Sequence, residues 1–201
     1  MLVEQLKVGG MENFSYILAC EQSGEAAVID PDGESARLMD KIGQNGHVTQ
    51  YILCTHFHPD HTQQAPELRD RTRALVAMHE ADIPYYGEKV DLTLHDGDTL
   101  TIGEEIQVRV LHTPGHTPGG VCFLVADRLF TGDTLFVGDS GRTDLPYSHR
   151  PTLGASIRKI MELPEETIVL PGHDYGPEPT STLRREKRHN INAREYGFYE
   201  P

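Results

Sequence analysis

Residues 54 to 62 read CTHFHPDHT, which places His56, His58, Asp60 and His61 within six consecutive positions, directly after the apolar run YILCT. The chain holds 11 histidines among 201 residues, too few for chance to give His-x-His-x-Asp-His at one strand end. Metal ions take neutral imidazole nitrogens and carboxylate oxygens at about 2.0–2.2 Å. His56 and His58 leave an extended turn two positions apart and can aim the same way. Asp60 and His61 then open a helix and can face a second ion. One stretch therefore supplies part of two adjacent sites, and the fold has to bring the missing ligands from elsewhere.

Other candidates occupy matching places. His116 follows IQVRVLHTPG, Asp133 ends RLFTGD, and His173 follows TIVLPG. Each stands just past an apolar strand-like run, where side chains leave the core and enter a loop held by rigid strands. Further β-rich runs are FSYILAC (14–20), AAVID (26–30), LVAMH (75–79) and VCFLVAD (121–127), many separated by turn signals such as PDG, HDGD and GDSG. Helices are expected over 34–46, where Leu38 and Ile42 share a face and Gly46 stops the helix, and roughly over 61–71, 151–162 and 181–194. Helices interspersed with strands predict a layered α/β fold with helices covering sheets. No repeat, low-complexity tract or linker divides the chain, so residues 1–201 read as a single domain.

Composition narrows the function classes. A formal net charge of -13 argues against nonspecific nucleic-acid binding, which needs clustered Lys and Arg. Cys20, Cys54 and Cys122 are odd in number, far apart and embedded in apolar runs, which predicts buried thiols in a reducing compartment. The N-terminal MLVEQLKVGGMENF has no apolar stretch suited to a signal peptide, and no segment is long enough to span a bilayer. The expected location is cytoplasmic, without membrane or nucleic-acid partners.

The ordered series THFHPDH, TPGHTPG, FTGDTLF and LPGHDYG resembles the metallo-β-lactamase superfamily, in particular its glyoxalase II (hydroxyacylglutathione hydrolase) and persulfide dioxygenase branches. The resemblance implies a four-layered αββα sandwich with metals at one sheet edge. It implies one site from His56, His58 and His116, a second from Asp60, His61 and His173, and Asp133 bridging both. A bridging Asp133 is unlike true β-lactamases and similar to glyoxalase II, persulfide dioxygenases and lactonases. The absence of cysteine after Cys122 disfavours subclasses with a late Cys ligand, and His58 in place of Glu counts against flavo-diiron oxygen reductases. Only a short tail follows His173, so the helical C-terminal glutathione-binding domain of full-length glyoxalase II is not expected. The segments GDSGRTDLP and GHDYGPEPTSTLRREKRHN look like their counterparts in persulfide dioxygenases and short glyoxalase II-like hydrolases.

The chemistry implied is hydrolysis by a metal-bound hydroxide. Two divalent ions about 3.5–4 Å apart lower the pKa of bound water toward about 7. With Asp60, Asp133 and hydroxide the centre keeps a positive charge able to stabilise a tetrahedral oxyanion. A thioester suits such a site because its thiolate leaves readily, and no G-x-S-x-G elbow is present. The first reading is therefore a metal-dependent hydrolase of a thioester or related ester with two divalent ions, zinc first and iron or manganese as substitutes. Asp60 and Asp133 are its catalytic carboxylates, and a glutathione or coenzyme A thioester is its small-molecule substrate. The alternative is a persulfide dioxygenase in which His56, His116 and Asp133 hold one Fe(II) as a two-His-one-carboxylate face. A non-catalytic scaffold would not need the full ligand set.

Lesser candidates carry ordinary explanations as well. Arg142 and Asp144 either contact a substrate carboxylate or pair with each other, and Tyr175 either reaches a substrate group or packs. Tyr85 and Tyr86 either line a cleft or cover a loop. The basic run with Arg184, Arg185, Lys187, Arg188 and Arg194 either binds an anionic tail, or is a solvated helix face or a homo-oligomer contact. His47, His79, His95, His112, His149 and His189 are expected at the surface or in loops, with His112 also placed to support His116.

Overall fold

The computed structural model describes all residues except Glu34 and Asn45, with the backbone alone for Ser35 and Ala36. The first sheet runs in chain order: β1 (Leu2–Val8), β2 (Asn13–Ala19), β3 (Glu25–Ile29), β4 (Val48–Leu53), β5 (Leu75–His79) and β6 (Leu92–Leu94). Its first three strands are antiparallel neighbours, and β3 to β6 are parallel. The second sheet has the order β12 (Ser181–Thr182), β11 (Ile168–Pro171), β10 (Arg128–Gly132), β9 (Val121–Val125), β8 (Ile106–His112) and β7 (Thr99–Ile102). It is antiparallel except for the parallel pair β10 and β11.

The two-residue period of the strands sorts their side chains into layers. Phe14, Tyr16 and Leu18 of β2 point between the sheets, where they meet Val108, Val110, Phe123 and Phe130 from the second sheet. The intervening Ile17 and Ala19 face outward with Val28 and Ile52, under Leu38 and Ile42 of α1 (Ser35–Gln44). After α2 (Pro59–Thr62), Leu68 of α3 (Ala65–Thr72) joins the same outer layer; the short α4 (Ile83–Tyr86) follows β5. On the opposite side Leu111, Cys122 and Leu129 face Leu153, Ile157 and Ile160 of α5 (Arg150–Met161). Three apolar interlayers thus stack helix, sheet, sheet and helix, the αββα sandwich expected. Fully burying a side chain such as Phe123 or Ile17 contributes about 1.5–3 kcal/mol.

Several expectations change in detail. The helix over 34–46 appears over 35–44, and its expected first residue Glu34 lies outside the described residues. The 181–194 segment is not one helix: β12 opens it, α6 (Leu183–His189) follows, and α7 (Ala193–Tyr196) comes after a turn at 190–192. Strand β1 falls where no strand is expected from the sequence, although Leu6 and Val8 are buried at a two-residue period. Strands β6 and β7, three and four residues long, are too short for periodicity to flag. Among the described residues no helix is long and apolar enough to cross a membrane. Cys20, Cys54 and Cys122 are buried and free.

Candidate metal centre

Strands β4, β8, β10 and β11 all end at the same edge of the sandwich, and the loops that follow them converge there. His56 follows β4, His116 lies in the loop from β8 to β9, Asp133 adjoins β10, and His173 lies just past β11. An isolated bridge between Asn13 and His173, with a 2.8 Å bond from the Phe14 amide to the Gly172 carbonyl, ties the first sheet to the second here. Pro59 at the first position of α2 starts the helical turn that carries Asp60 and His61 toward the cluster.

All seven sequence candidates come together. Three groups form: His56, His58 and His116; His56, His61 and Asp133; and Asp60, His61 and His173. Within each, one ligand atom per residue lies within 4.8 Å of the others. His58 Nδ1 is 3.0 Å from His116 Nε2, and His61 Nε2 is 3.2 Å from His173 Nε2. Asp133 is 3.3 Å from His61 and 3.4 Å from both His116 and His173. Ligands bound at about 2.0–2.1 Å in a tetrahedron stand about 3.3 Å apart, so these are the separations of ligands sharing an ion.

The outward-facing ring nitrogens show why these contacts fit cations. His116 Nδ1 donates to the Arg142 carbonyl at 2.8 Å, and His173 Nδ1 donates to the Met11 carbonyl at 2.8 Å. His61 Nδ1 donates to the Asp30 carboxylate at 3.0 Å. A carbonyl or carboxylate only accepts, so each of these rings carries a proton on Nδ1, and in the neutral form that binds a metal it turns an Nε2 lone pair inward. Lone pairs facing one another are repulsive unless something positive lies between them. His56 Nε2 and Asp133 Oδ1 are moreover buried with no hydrogen-bond partner among the described residues, a costly arrangement that a metal ion relieves. The donor set fits divalent cations.

Charge within the cluster is uneven. Burial, reinforced by His61 and the other imidazoles, holds His56 well below the usual histidine range. Burial, with His116 beside it, lowers His58 to about 4. Burial also opposes charge on His61, but Asp133 and Asp30 outweigh it and raise its pKa well above the usual value. Asp133 is pushed well below the carboxylate range because the neighbouring His61 and His173 outweigh its burial. The Asp133 and Asp30 carboxylates thus favour positive charge at His61, whereas burial among other imidazoles keeps His56 and His58 neutral.

Three supporting residues escaped sequence reasoning. Asp30, at the end of β3, accepts from the Thr55 amide at 2.7 Å and the Thr55 hydroxyl at 2.6 Å as well as from His61. Asn13 donates to the Asp60 carbonyl and carboxylate, both at 3.0 Å, and so aims that side chain. Asp82 is fully buried and accepts from the Phe57 amide at 3.0 Å, the Thr117 hydroxyl at 2.8 Å and the Gly119 amide at 2.5 Å. It stitches the loop bearing His56 and His58 to the loop bearing His116. Gly172 is required by closeness: a Cβ there would stand 2.7 Å from Asp133 Oδ1 and 2.9 Å from His61 Cε1.

A cavity of about 520 Å³ opens onto the cluster. Met11, Phe136, Leu145 and Pro146 give it apolar walls, with Arg142 and Tyr175 also on its lining. Tyr175 stacks on His173 with centroids 4.5 Å apart and stays 56% exposed. Arg142 binds Asp144 through two bonds of 2.6 and 2.7 Å, so the pairing reading of those two residues holds in the structure. In the basic run, Arg184 pairs with Glu165 and Glu166, Lys187 pairs with Glu165 and Glu200, and Arg194 lies over the Tyr199 ring. His79 departs from its expected surface place: it is 4% exposed and stacks on His112 at 4.0 Å. His112 bonds the Pro118 carbonyl at 2.9 Å and so braces the His116 loop.

A sandwich with a histidine- and aspartate-rich cation site at the shared ends of its sheets defines a class of metal-dependent proteins. The chain belongs to the metallo-beta-lactamase superfamily, whose pattern it matches over residues 8–173. It is 34% identical over 182 residues to the probable polyketide biosynthesis zinc-dependent hydrolase BaeB of Bacillus velezensis, covering 89% of this chain and 80% of that one. It is also 34% identical over 180 residues to a hydroxyacylglutathione hydrolase of Polaromonas, covering 87% and 67% respectively. Among solved structures it superposes on ETHE1 from Myxococcus xanthus with a TM-score of 0.90 and 30% identity, covering 99% of this chain and 88% of that one.

Proposed function

We propose that the protein is a metal-dependent hydrolase of a thioester or related ester, with two ions held by His56, His58 and His116 on one side and Asp60, His61 and His173 on the other. Asp133, within 3.4 Å of His116 and His173, would serve both. The observation that carries this reading is the completeness of the second half-site. His61 and His173 each have the remote nitrogen fixed by an acceptor, and Asn13 aims Asp60, as holding a second ion requires.

A pair of divalent ions, zinc first, supplies a water ionised near neutral pH and a Lewis acid for the carbonyl oxygen. The remaining work falls to the chain. The protons on Nδ1 of His116 and His173 stay with the Arg142 and Met11 carbonyls, which keeps the inward nitrogens as ligands through turnover. Asp133 and Asp60 are the acceptors for the water proton, being the carboxylates that face the cluster. The apolar walls of the cavity exclude bulk water from an acyl group, and Tyr175 at the lip is placed to touch the carbonyl or thiol portion. A thiolate needs little protonation to leave, so this reading asks for no dedicated protein acid.

The near-complete superposition on ETHE1 favours one second reading, a persulfide dioxygenase using His56, His116 and Asp133 around a single iron. Assays of the purified protein for lactoylglutathione hydrolysis and for oxygen uptake with glutathione persulfide separate the two. Thioester turnover with no oxygen consumed is the expected result; oxygen uptake without hydrolysis reverses the order.

A further inference from the structure

Three polar side chains near the C-terminus are buried for no reason that α6 and α7 supply. Glu186 is fully buried, Asn190 is 5% exposed and Asn192 is 7% exposed. Their hydrogen bonds converge on one short loop that follows Asp133. Glu186 accepts from the Gly138 amide at 2.8 Å and from Asn190 Nδ2 at 2.8 Å. Asn190 Nδ2 donates to the Asp139 carbonyl at 2.9 Å. Asn192 Nδ2 donates to Asp139 Oδ1 at 2.7 Å and to Ser140 Oγ at 3.0 Å. The Ile191 amide donates to the Gly138 carbonyl at 3.0 Å, so the backbone of the turn grips the same loop.

That loop forms one wall of the metal-site cavity. It turns tightly, with a bond of 2.9 Å from the Phe136 amide to the Asp139 carbonyl and a bridge between Leu135 and Ser140. Phe136 meets the His173 ring edge-on at 5.6 Å, and the Arg142 carbonyl takes the Nδ1 proton of His116. Gly141 presses so closely on Asp133 that a Cβ would overlap the Asp133 carbonyl. The loop therefore has no slack against the cluster on its inner side, and its outer side is held by the three buried residues.

We infer that Glu186, Asn190 and Asn192 form a latch that positions the 136–142 loop, and through it the substrate wall of the cavity and the His116 ring. The three are positioning residues, because none lines the cavity. If their burial served only the packing of α6 and α7, their bonds would be spread among neighbouring elements. Apart from the Ser181 hydroxyl and the Arg185 guanidinium (3.9 Å) on Glu186, the Arg150 contact on Asn192 and the bonds inside the turn, they go to Gly138, Asp139 and Ser140. The effect on substrate rests on the hydrolase reading above; the effect on the loop and on His116 does not.

The latch makes distinct demands on each residue. Asn192→Ala removes both side-chain bonds to Asp139 and Ser140 and leaves the metal ligands untouched. Glu186→Gln can keep every hydrogen bond and gives up only the 3.9 Å ion pair with Arg185, since its amide oxygen accepts from Gly138 and Asn190 while its nitrogen donates to Ser181; Glu186→Ala cannot. The 201-residue chain is reconstituted with zinc and followed by amide hydrogen exchange, by zinc affinity in competition with a chelator, and by steady-state kinetics with lactoylglutathione. Asn192→Ala is expected to speed exchange in 136–142 about tenfold or more relative to strands β8 and β9. It should weaken zinc binding severalfold and raise KM about tenfold with kcat nearly unchanged. Glu186→Gln should match the parent, whereas Glu186→Ala, where it folds, should resemble Asn192→Ala. Unchanged loop exchange in Asn192→Ala, acceleration spread evenly over the chain, or Glu186→Gln behaving like Glu186→Ala would overturn the latch. If the parent protein does not turn over lactoylglutathione, the hydrolase reading fails on its own, and loop exchange and zinc affinity still decide the latch.

Discussion

Asp30 takes the Nδ1 proton of His61 at 3.0 Å while its two oxygens also hold the amide and hydroxyl of Thr55. One carboxylate thus fixes both the ring that faces the second half-site and the residue that precedes His56. Its place is set by strand register: β3 and β4 are parallel, Ile29 pairs with Leu53, and the next residues fall side by side. Replacing Asp30 by Ala is expected to weaken metal affinity about 10–100-fold, chiefly at the Asp60, His61 and His173 side. Titration against a chromophoric chelator checks this, and two-site affinities equal to the parent's would remove Asp30 from the centre.

Asp82 acts on the other half. Asp82→Ala leaves the Phe57 and Gly119 amides without their acceptor, at a cost of about 2–4 kcal/mol. For a chain of this size that lowers Tm by about 4–16 °C. Calorimetry at saturating zinc measures it, and a Tm within about 2 °C of the parent would show that the two loops do not depend on this carboxylate.

Gly172→Ala tests closeness without altering a ligand. The added methyl would contact both Asp133 and His61, so the ligands must part or the backbone must shift. A fall in kcat/KM of about 100-fold is expected, with a far-ultraviolet spectrum like the parent's. Retention of activity within about threefold would mean that the Asp133 and His61 positions are looser than described.

His79 offers a pH test remote from the ligands. Burial, with His112 stacked on it, lowers its pKa to about 4 from an ordinary value of 6.5. Between those values the unfolded chain binds a proton that the native protein refuses. Stability from this group is therefore complete above pH 6.5 and is lost as the pH falls toward 4. Allowing for partial solvent screening, the loss amounts to about 1–2 kcal/mol. Denaturant titrations of metal-free protein at pH 7 and pH 4.5 should show a smaller drop for His79→Phe than for the parent. Equal drops would place the acid sensitivity elsewhere.

The sequence made the seven converging side chains readable because each follows an apolar run with clear turn chemistry. The layers were readable for the same reason, since β2, β8 and β9 alternate or run apolar over five to seven residues. Asp30, Asp82 and Asn13 were not, because each is a lone polar residue whose partners are distant in the chain and meet it only through strand pairing or loop packing. The basic run was readable only as charge, open to an anion site, a solvated face or an oligomer contact. Arg184 and Lys187 pair with Glu165, Glu166 and Glu200, and Arg184 and Arg188 stay exposed. The uncharged Asn190 and Asn192 within it reach the metal-site loop instead. Periodicity also merged α6 and α7, since the intervening turn consists of residues that helical patterning alone does not reject.

Titration of the metal-free protein with zinc, with thioester turnover followed at each addition, tests the two-ion account most directly. Activity should rise only as the second equivalent binds, and His61→Ala should bind one equivalent and stay inactive. Full activity at one equivalent, or turnover that survives exhaustive chelation, would contradict it.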